Sequence, residues 1–97
     1  MPERNTGARF HRDRFPVIVR LYDFVRLDTD ARMECVNENG SLVTNDPKTR
    51  SNFYMVNDFY VEVRLNDGAD RIIAVMPFKT GKRYDRMLER INLARLG

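Results

Sequence analysis

The sequence predicts an α+β fold: a bent antiparallel sheet of four to five strands, open or partly closed into a barrel, with one C-terminal helix packed on it. Three observations carry this expectation. Between Phe15 and Met76, runs rich in β-branched and aromatic residues alternate with polar ones, the pattern of half-buried strands. Asn39-Gly40 and Asn66-Asp67-Gly68-Ala69 punctuate those runs with hairpin-turn chemistry. From Thr80 onward the apolar period changes to that of a helix.

Residues 1–14 lack periodicity and read as a flexible basic arm ahead of a single α+β domain over residues 15–97. Phe15 to Leu27 reads as the first strand, with Pro16 at its start, where a missing N–H costs little. One face carries Val17, Val19, Leu21, Val25 and Leu27; the other carries Ile18, Arg20, Tyr22, Phe24 and Arg26. Ala31 to Glu38 reads as a weaker strand, followed by a type I′ turn at Asn39-Gly40 that returns into Ser41–Thr44. Residues 45–51 read as a charged surface loop. Phe53 to Leu65 reads as one long strand with a bend or bulge near Asn57-Asp58, its apolar face formed by Phe53, Met55, Phe59, Val61, Val63 and Leu65. Ile72 to Met76 is apolar without alternation, as expected of a central strand covered on both faces. A two-residue turn puts Gly68 at positive φ and sets Val63 opposite Ile72, Val61 opposite Ala74 and Phe59 opposite Met76 on one buried face, with Arg64 opposite Arg71. In the helix, with Thr80 at the N-cap, Tyr84, Met87, Leu88 and Ile91 form the docking stripe, and Arg83, Arg86 and Arg90 share the exposed side.

Composition narrows the function. The chain has 97 residues, 42% hydrophobic and 32% charged, which suits one globular domain with a small core. It has no apolar run long enough for a membrane span and no signal peptide, so no membrane partner is expected. Its lone Cys35 excludes an intramolecular disulfide and fits a reducing, cytoplasmic setting. The net charge of +3 is uneven: residues 1–15 carry +2, residues 16–79 carry −2 and residues 80–97 carry +3. Basic ends on a slightly acidic body fit contact with a polyanion, and they equally fit solvated termini.

Three candidate surfaces follow. The arm interleaves Arg9, Arg12 and Arg14 with Phe10 and Phe15, a pattern suited to phosphates and stacked bases; the competing reading is a solvated tail anchored by Phe15. A sheet face bearing Arg20, Tyr22, Phe24 and Arg26, with Tyr54, Tyr60 and Arg64 nearby, resembles in composition the platforms that bind proteins or nucleic acid; the competing reading buries those rings under the helix. Arg83, Arg86 and Arg90 would lie along phosphates or stand solvated. No enzyme signature rises above background: Asp58 with Glu62 and Asp28 with Asp30 are carboxylate pairs, but such pairs are commonplace at turns and on exposed strand faces. His11 is the one histidine, Cys35 reads as inert packing, no Cys/His set has metal spacing, and no glycine-rich phosphate loop or other cofactor motif is present.

The expected function is therefore a small basic binding module for nucleic acid. The alternative is a homodimeric protein-interaction module, and a minor one is a small nuclease or toxin-like enzyme. Arg14-Phe15-Pro16-Val17, short strands and a terminal helix are somewhat similar to the PilZ domains that bind cyclic di-GMP. That family's second motif, Asp/Asn-x-Ser-x-x-Gly, is not met: from Asn37, Asn39 holds the Ser position and Leu42 the Gly position, so the chain is not assigned to it.

Overall fold

A computed structural model describes residues 19–96; the expected arm, with Arg9, Arg12 and Arg14, lies outside them. Helix α1 (Leu21–Val25) and helix α2 (Thr29–Asn39) precede strands β1 (Gly40–Asp46), β2 (Ser51–Val56), β3 (Phe59–Leu65) and β4 (Ile72–Phe78), and helix α3 (Lys82–Leu96) closes the chain. The strands form one open antiparallel sheet in the order β1-β2-β3-β4, so the fold is α+β as expected and the sheet is not a barrel. Among the described residues, no helix is long and apolar enough to cross a membrane.

Two expected strands are helices. Residues 21–25 turn because Phe24 anchors a single helical turn in the core, where its ring meets Phe59 at 5.3 Å, while the Asp23 carboxylate accepts the Arg20 N–H at 3.3 Å. Residues 29–39 are helical because Asp28 caps them: its carboxylate accepts the Ala31 N–H at 2.8 Å, satisfying a donor that the first turn leaves free. Ala31 and Cys35, four apart, point inward with Val36. Gly40 is no type I′ turn residue; it ends α2 in extended backbone, where a Cβ would stand 2.7 Å from the Val36 carbonyl oxygen.

The expected long strand at 53–65 is a hairpin. Asn57 holds φ 54°, and its side chain donates to the Val19 carbonyl at 2.9 Å, pinning the turn between β2 and β3 to the segment before α1. The turn sends Phe53 and Phe59 to opposite faces. Val56, Phe59, Val61, Val63 and Val75 pack against Val19, Phe24, Cys35 and Val36, so α1 and α2 cover one face. Phe53 and Phe78 pack with Met87, so α3 covers part of the other. Tyr84 and Ile91 join that second core, but Leu88, expected in it, is exposed.

β4 is an edge strand, not a central one, and Ile72, Ile73 and Met76 are exposed on it. Its register also differs from expectation. Asn66 organises a loop over residues 66–71: its N–H donates to the Arg71 carbonyl at 2.9 Å and its side chain accepts the Asp70 N–H at 3.1 Å. Ala69, not Gly68, takes positive φ, at 57°. Val63 therefore faces Val75, Arg64 faces Ala74 and Val61 faces Pro77. The slip from the expected pairing is odd in number, so it turns Met76 to the α3 side beside its partner Glu62.

Both sheet edges carry an arginine. The Arg32 guanidinium donates to the Val75 carbonyl at 2.8 Å, on the side of β4 away from β3. Pro77, two residues on, has the same outward orientation, so its missing N–H removes no ladder bond. At the other edge, Arg90 Nε donates to the Asn45 carbonyl of β1 at 3.3 Å.

Candidate functional site

The α3 side of the sheet is built around a buried carboxylate. Glu62, in the middle of β3, is 2% exposed. Burial without partners would cost an ionised group several kcal/mol, so its neighbours must compensate. They do so from three directions. Ser51 on β2 donates its hydroxyl at 2.5 Å, Arg64 on β3 reaches Oε2 at 3.2 Å, Arg83 Nε on α3 reaches Oε1 at 3.1 Å, and Arg86 Nη2 donates to Oε2. Burial acts to raise the Glu62 pKa, but the Ser51 hydroxyl and the Arg86 and Arg64 guanidiniums outweigh it and hold the carboxyl below its ordinary range.

Arg86 joins a second buried acid. Its Nε lies 3.3 Å from Oδ2 of Asp46, whose other oxygen accepts the Lys48 N–H at 3.1 Å, and its guanidinium stands 5.4 Å from the Phe53 ring centroid. Beside it, between α3 and the β1–β2 turn, is a cavity of about 260 Å³ lined by Asp46, Lys48, Thr49, Arg86, Glu89, Arg90 and Leu93.

α3 crosses this face diagonally. It starts at Tyr60, whose ring lies 5.8 Å from Tyr84, and ends over β1, where Arg90 holds Asn45. The crossing leaves one corner of the sheet uncovered, formed by Arg64, Ala74 and Met76 and flanked by Arg83 on the helix. Arg64 and Arg83 are about two-fifths exposed there, at 39% and 41%, while Arg86 lies deeper at 29%.

The sequence-expected site divides accordingly. Tyr60, Arg64, Arg83, Arg86 and Arg90 share the α3 side. Tyr60 is packing more than platform, stacked on Phe78 at 5.7 Å. Arg83, Arg86 and Arg90 are not a solvated stripe, because all three reach back to the sheet. Tyr54 belongs to the opposite side, against the α1 and α2 core. Tyr22 stands exposed on α1 with Arg26 5.7 Å from its ring, and Arg20 precedes that helix. The expected common face of Arg20, Tyr22, Tyr54, Tyr60 and Arg64 therefore does not exist, because Tyr54 pairs with Val61 while Tyr60 and Arg64 point the other way. Arg9, Arg12 and Arg14 lie outside the described residues.

Sequence reading gives Ser51 and Asp46 no site role and sets Glu62 only beside Asp58, as a commonplace carboxylate pair. The available signal was Glu62 itself, an acid sharing a strand face with Tyr60 and Arg64 opposite an arginine-rich helix. Cys35 is buried, and that burial pushes its thiol pKa up against the opposing Asn39 hydrogen bond. Among the described residues, no group of three His, Cys, Asp or Glu side chains is placed to hold a metal ion. Compared with family models, with curated proteins and with solved structures, the chain has no match.

Proposed function

We propose that this chain is a small cytoplasmic binding module that contacts nucleic acid through the open corner beside α3. The observation that supports it best is the pair Arg64 and Arg83. Both guanidiniums are held by one buried carboxylate, and both remain about two-fifths exposed beside Met76. Planar, always-charged guanidiniums suit phosphate oxygens, and an apolar shelf beside them suits an unpaired base. Lys48 and Arg90 extend the basic character past the β1–β2 turn. Arg20, Tyr22 and Tyr54 have no part in this surface.

The test is titration of labelled single-stranded and double-stranded oligonucleotides at rising salt. Binding should weaken linearly in log–log form, and Arg64→Ala or Arg83→Ala should weaken it and lower the slope by about one each. No binding at low salt would end this reading.

A second reading is a homodimeric protein-interaction module, favoured by the exposed Ile72, Ile73 and Met76 of β4. It calls for a dimer by light scattering at micromolar concentration and indifference to oligonucleotides. A nuclease has less support, since Ser51 and Glu62, the groups that would handle a proton, are buried beneath arginines. Unchanged RNA, with and without magnesium, would remove it.

A further inference from the structure

A buried acid beneath a basic surface raises a question of sign. An acid beside a phosphate site ordinarily opposes binding, because it lowers the local positive potential. Glu62 sits under the two exposed arginines but has no surface of its own to offer a ligand, being 2% exposed. Its contacts are divided between its oxygens: Oε1 takes Arg83, and Oε2 takes Ser51, Arg64 and Arg86. The bond from Arg83 uses only its Nε, and that from Arg64 only one Nη, so each guanidinium keeps terminal N–H groups for a ligand. One carboxylate thus ties an arginine on a strand to an arginine on a helix.

We propose that Glu62 is a positioning residue that strengthens phosphate binding by holding Arg64 and Arg83 side by side at the open corner. The proposal rests on the nucleic-acid reading and specifies how that site works. Arginine is a long side chain, and one that is already ordered loses less freedom when it meets a phosphate. Ser51 belongs to the same device, since its hydroxyl fixes the carboxylate from the neighbouring strand.

Charge and positioning predict opposite signs for Glu62→Gln. Removing the negative charge makes the site more cationic, so charge alone tightens binding. Freeing two arginines weakens it by about tenfold, the order expected when two flexible side chains must be ordered on binding. The experiment measures the affinity of a labelled oligodeoxythymidylate for the full chain, for Glu62→Gln and for Ser51→Ala at one low salt concentration. The expected result is about tenfold weaker binding for Glu62→Gln and a smaller loss for Ser51→Ala. Nitrogen-15 relaxation of the Arg83 Nε–H supplies a readout that general destabilisation does not move: ordered in the wild type, motionally averaged in folded Glu62→Gln.

If Glu62→Gln binds as tightly as the wild type or tighter, the positioning role is overturned while the nucleic-acid reading stands. If the wild type itself does not bind, the nucleic-acid reading is overturned and the proposal with it. Should circular dichroism show that Glu62→Gln does not fold, Ser51→Ala decides by the same criterion, since it loosens the carboxylate and removes no charge.

Discussion

Arg86→Ala should be the most damaging charge-removing substitution on α3. In the folded chain the Arg86 guanidinium bonds Glu62 Oε2, lies 3.3 Å from Asp46 Oδ2 and covers the Phe53 ring at 5.4 Å. Truncating one partner of a buried ion pair typically costs about 3–5 kcal/mol, because the other charge is left without compensation. Two features change that figure here. Glu62 keeps Arg64 at 3.2 Å and Arg83 at 3.1 Å, so its charge remains compensated. Asp46, only 3% exposed, keeps just the Lys48 N–H, and the loss of the cation over Phe53 adds about 0.5–1 kcal/mol. The expected loss is therefore about 2–4 kcal/mol. Urea denaturation should show it as a lower midpoint at unchanged slope.

Arg90→Ala is the internal control. Its single 3.3 Å bond to the Asn45 carbonyl is exposed, so its loss should cost at most about 1 kcal/mol. A double-mutant cycle of Arg86→Ala with Asp46→Ala should give a coupling of roughly 0.5–3 kcal/mol. An Arg86→Ala variant within about 0.5 kcal/mol of the wild type would place Arg86 among ordinary surface residues. The buried hub would then not be what fastens α3 to the sheet.

Met87→Ala should cost roughly 2–5 kcal/mol, because Met87 is fully enclosed by Phe53 and Phe78, whereas exposed Leu88→Ala should stay within about 0.5 kcal/mol; comparable losses in urea would mean the wrong helix face is assigned. The folded Glu62 pKa is depressed, so its contribution to stability is full above the unfolded value of about 4.3 and is lost as pH falls through the folded value. Wild-type stability should therefore drop between neutral and acid pH by more than that of Glu62→Gln, and parallel pH profiles would refute this. Gly68→Ala should be nearly neutral, since Gly68 is not at positive φ and its Cβ would meet no atom closer than 3.4 Å, while Asn57→Val, which strains φ 54° and loses the bond to Val19, should cost about 2–3 kcal/mol by thermal melting. Arg32→Ala should uncover the Val75 carbonyl and raise self-association with concentration, which light scattering reads directly; a variant as monodisperse as the wild type would show that Arg32 does not guard that edge.

The sheet was more legible in the sequence than the helices before it. Strand β3 and helix α3 follow the periods of two and 3.6 that their residues display, and β4 contains the continuous apolar run Ile72–Met76. Residues 29–39 misled because Ala31, Met33 and Cys35 alternate as in a strand, while the four-residue step from Ala31 to Cys35 served equally well for a helix. The better guide was punctuation: Asp28 just ahead as a cap and Gly40 just behind. The short α1 had weaker local signals, since Leu21, Tyr22, Phe24 and Val25 favour a strand and only packing of Phe24 on Phe59 settles the matter. For the β3–β4 connection, Asp67-Gly68 indicated a tight turn, but the backbone and side chain of Asn66 close a longer loop, and side chains change face with that slip.

The arginines of the candidate site were legible one by one and their arrangement was not. Arg83, Arg86 and Arg90 stand at spacings that look like a solvated face when no acid is known to lie opposite. Glu62 reverses that reading, because a carboxylate enclosed between strand and helix needs several donors at once, and Arg83 and Arg86 supply those that Ser51 and Arg64 of the sheet do not. Covering the other sheet face was equally hidden, since it depends on recognising α1 and α2.

The edges constrain what kind of partner the open corner can take. An open four-stranded sheet exposes two strands to pairing with another chain. Here Arg32 occupies the Val75 carbonyl and Pro77 removes an outward N–H from β4, while Arg90 occupies the Asn45 carbonyl on β1. Backbone pairing at these positions must first displace an arginine from a carbonyl, which disfavours an added strand at either edge. On the proposed reading, a ligand at the corner would be recognised by side chains: the guanidiniums of Arg64 and Arg83 and the apolar surface of Met76. That set suits a flexible anionic chain with apolar faces, and it suits a strand-donating protein poorly.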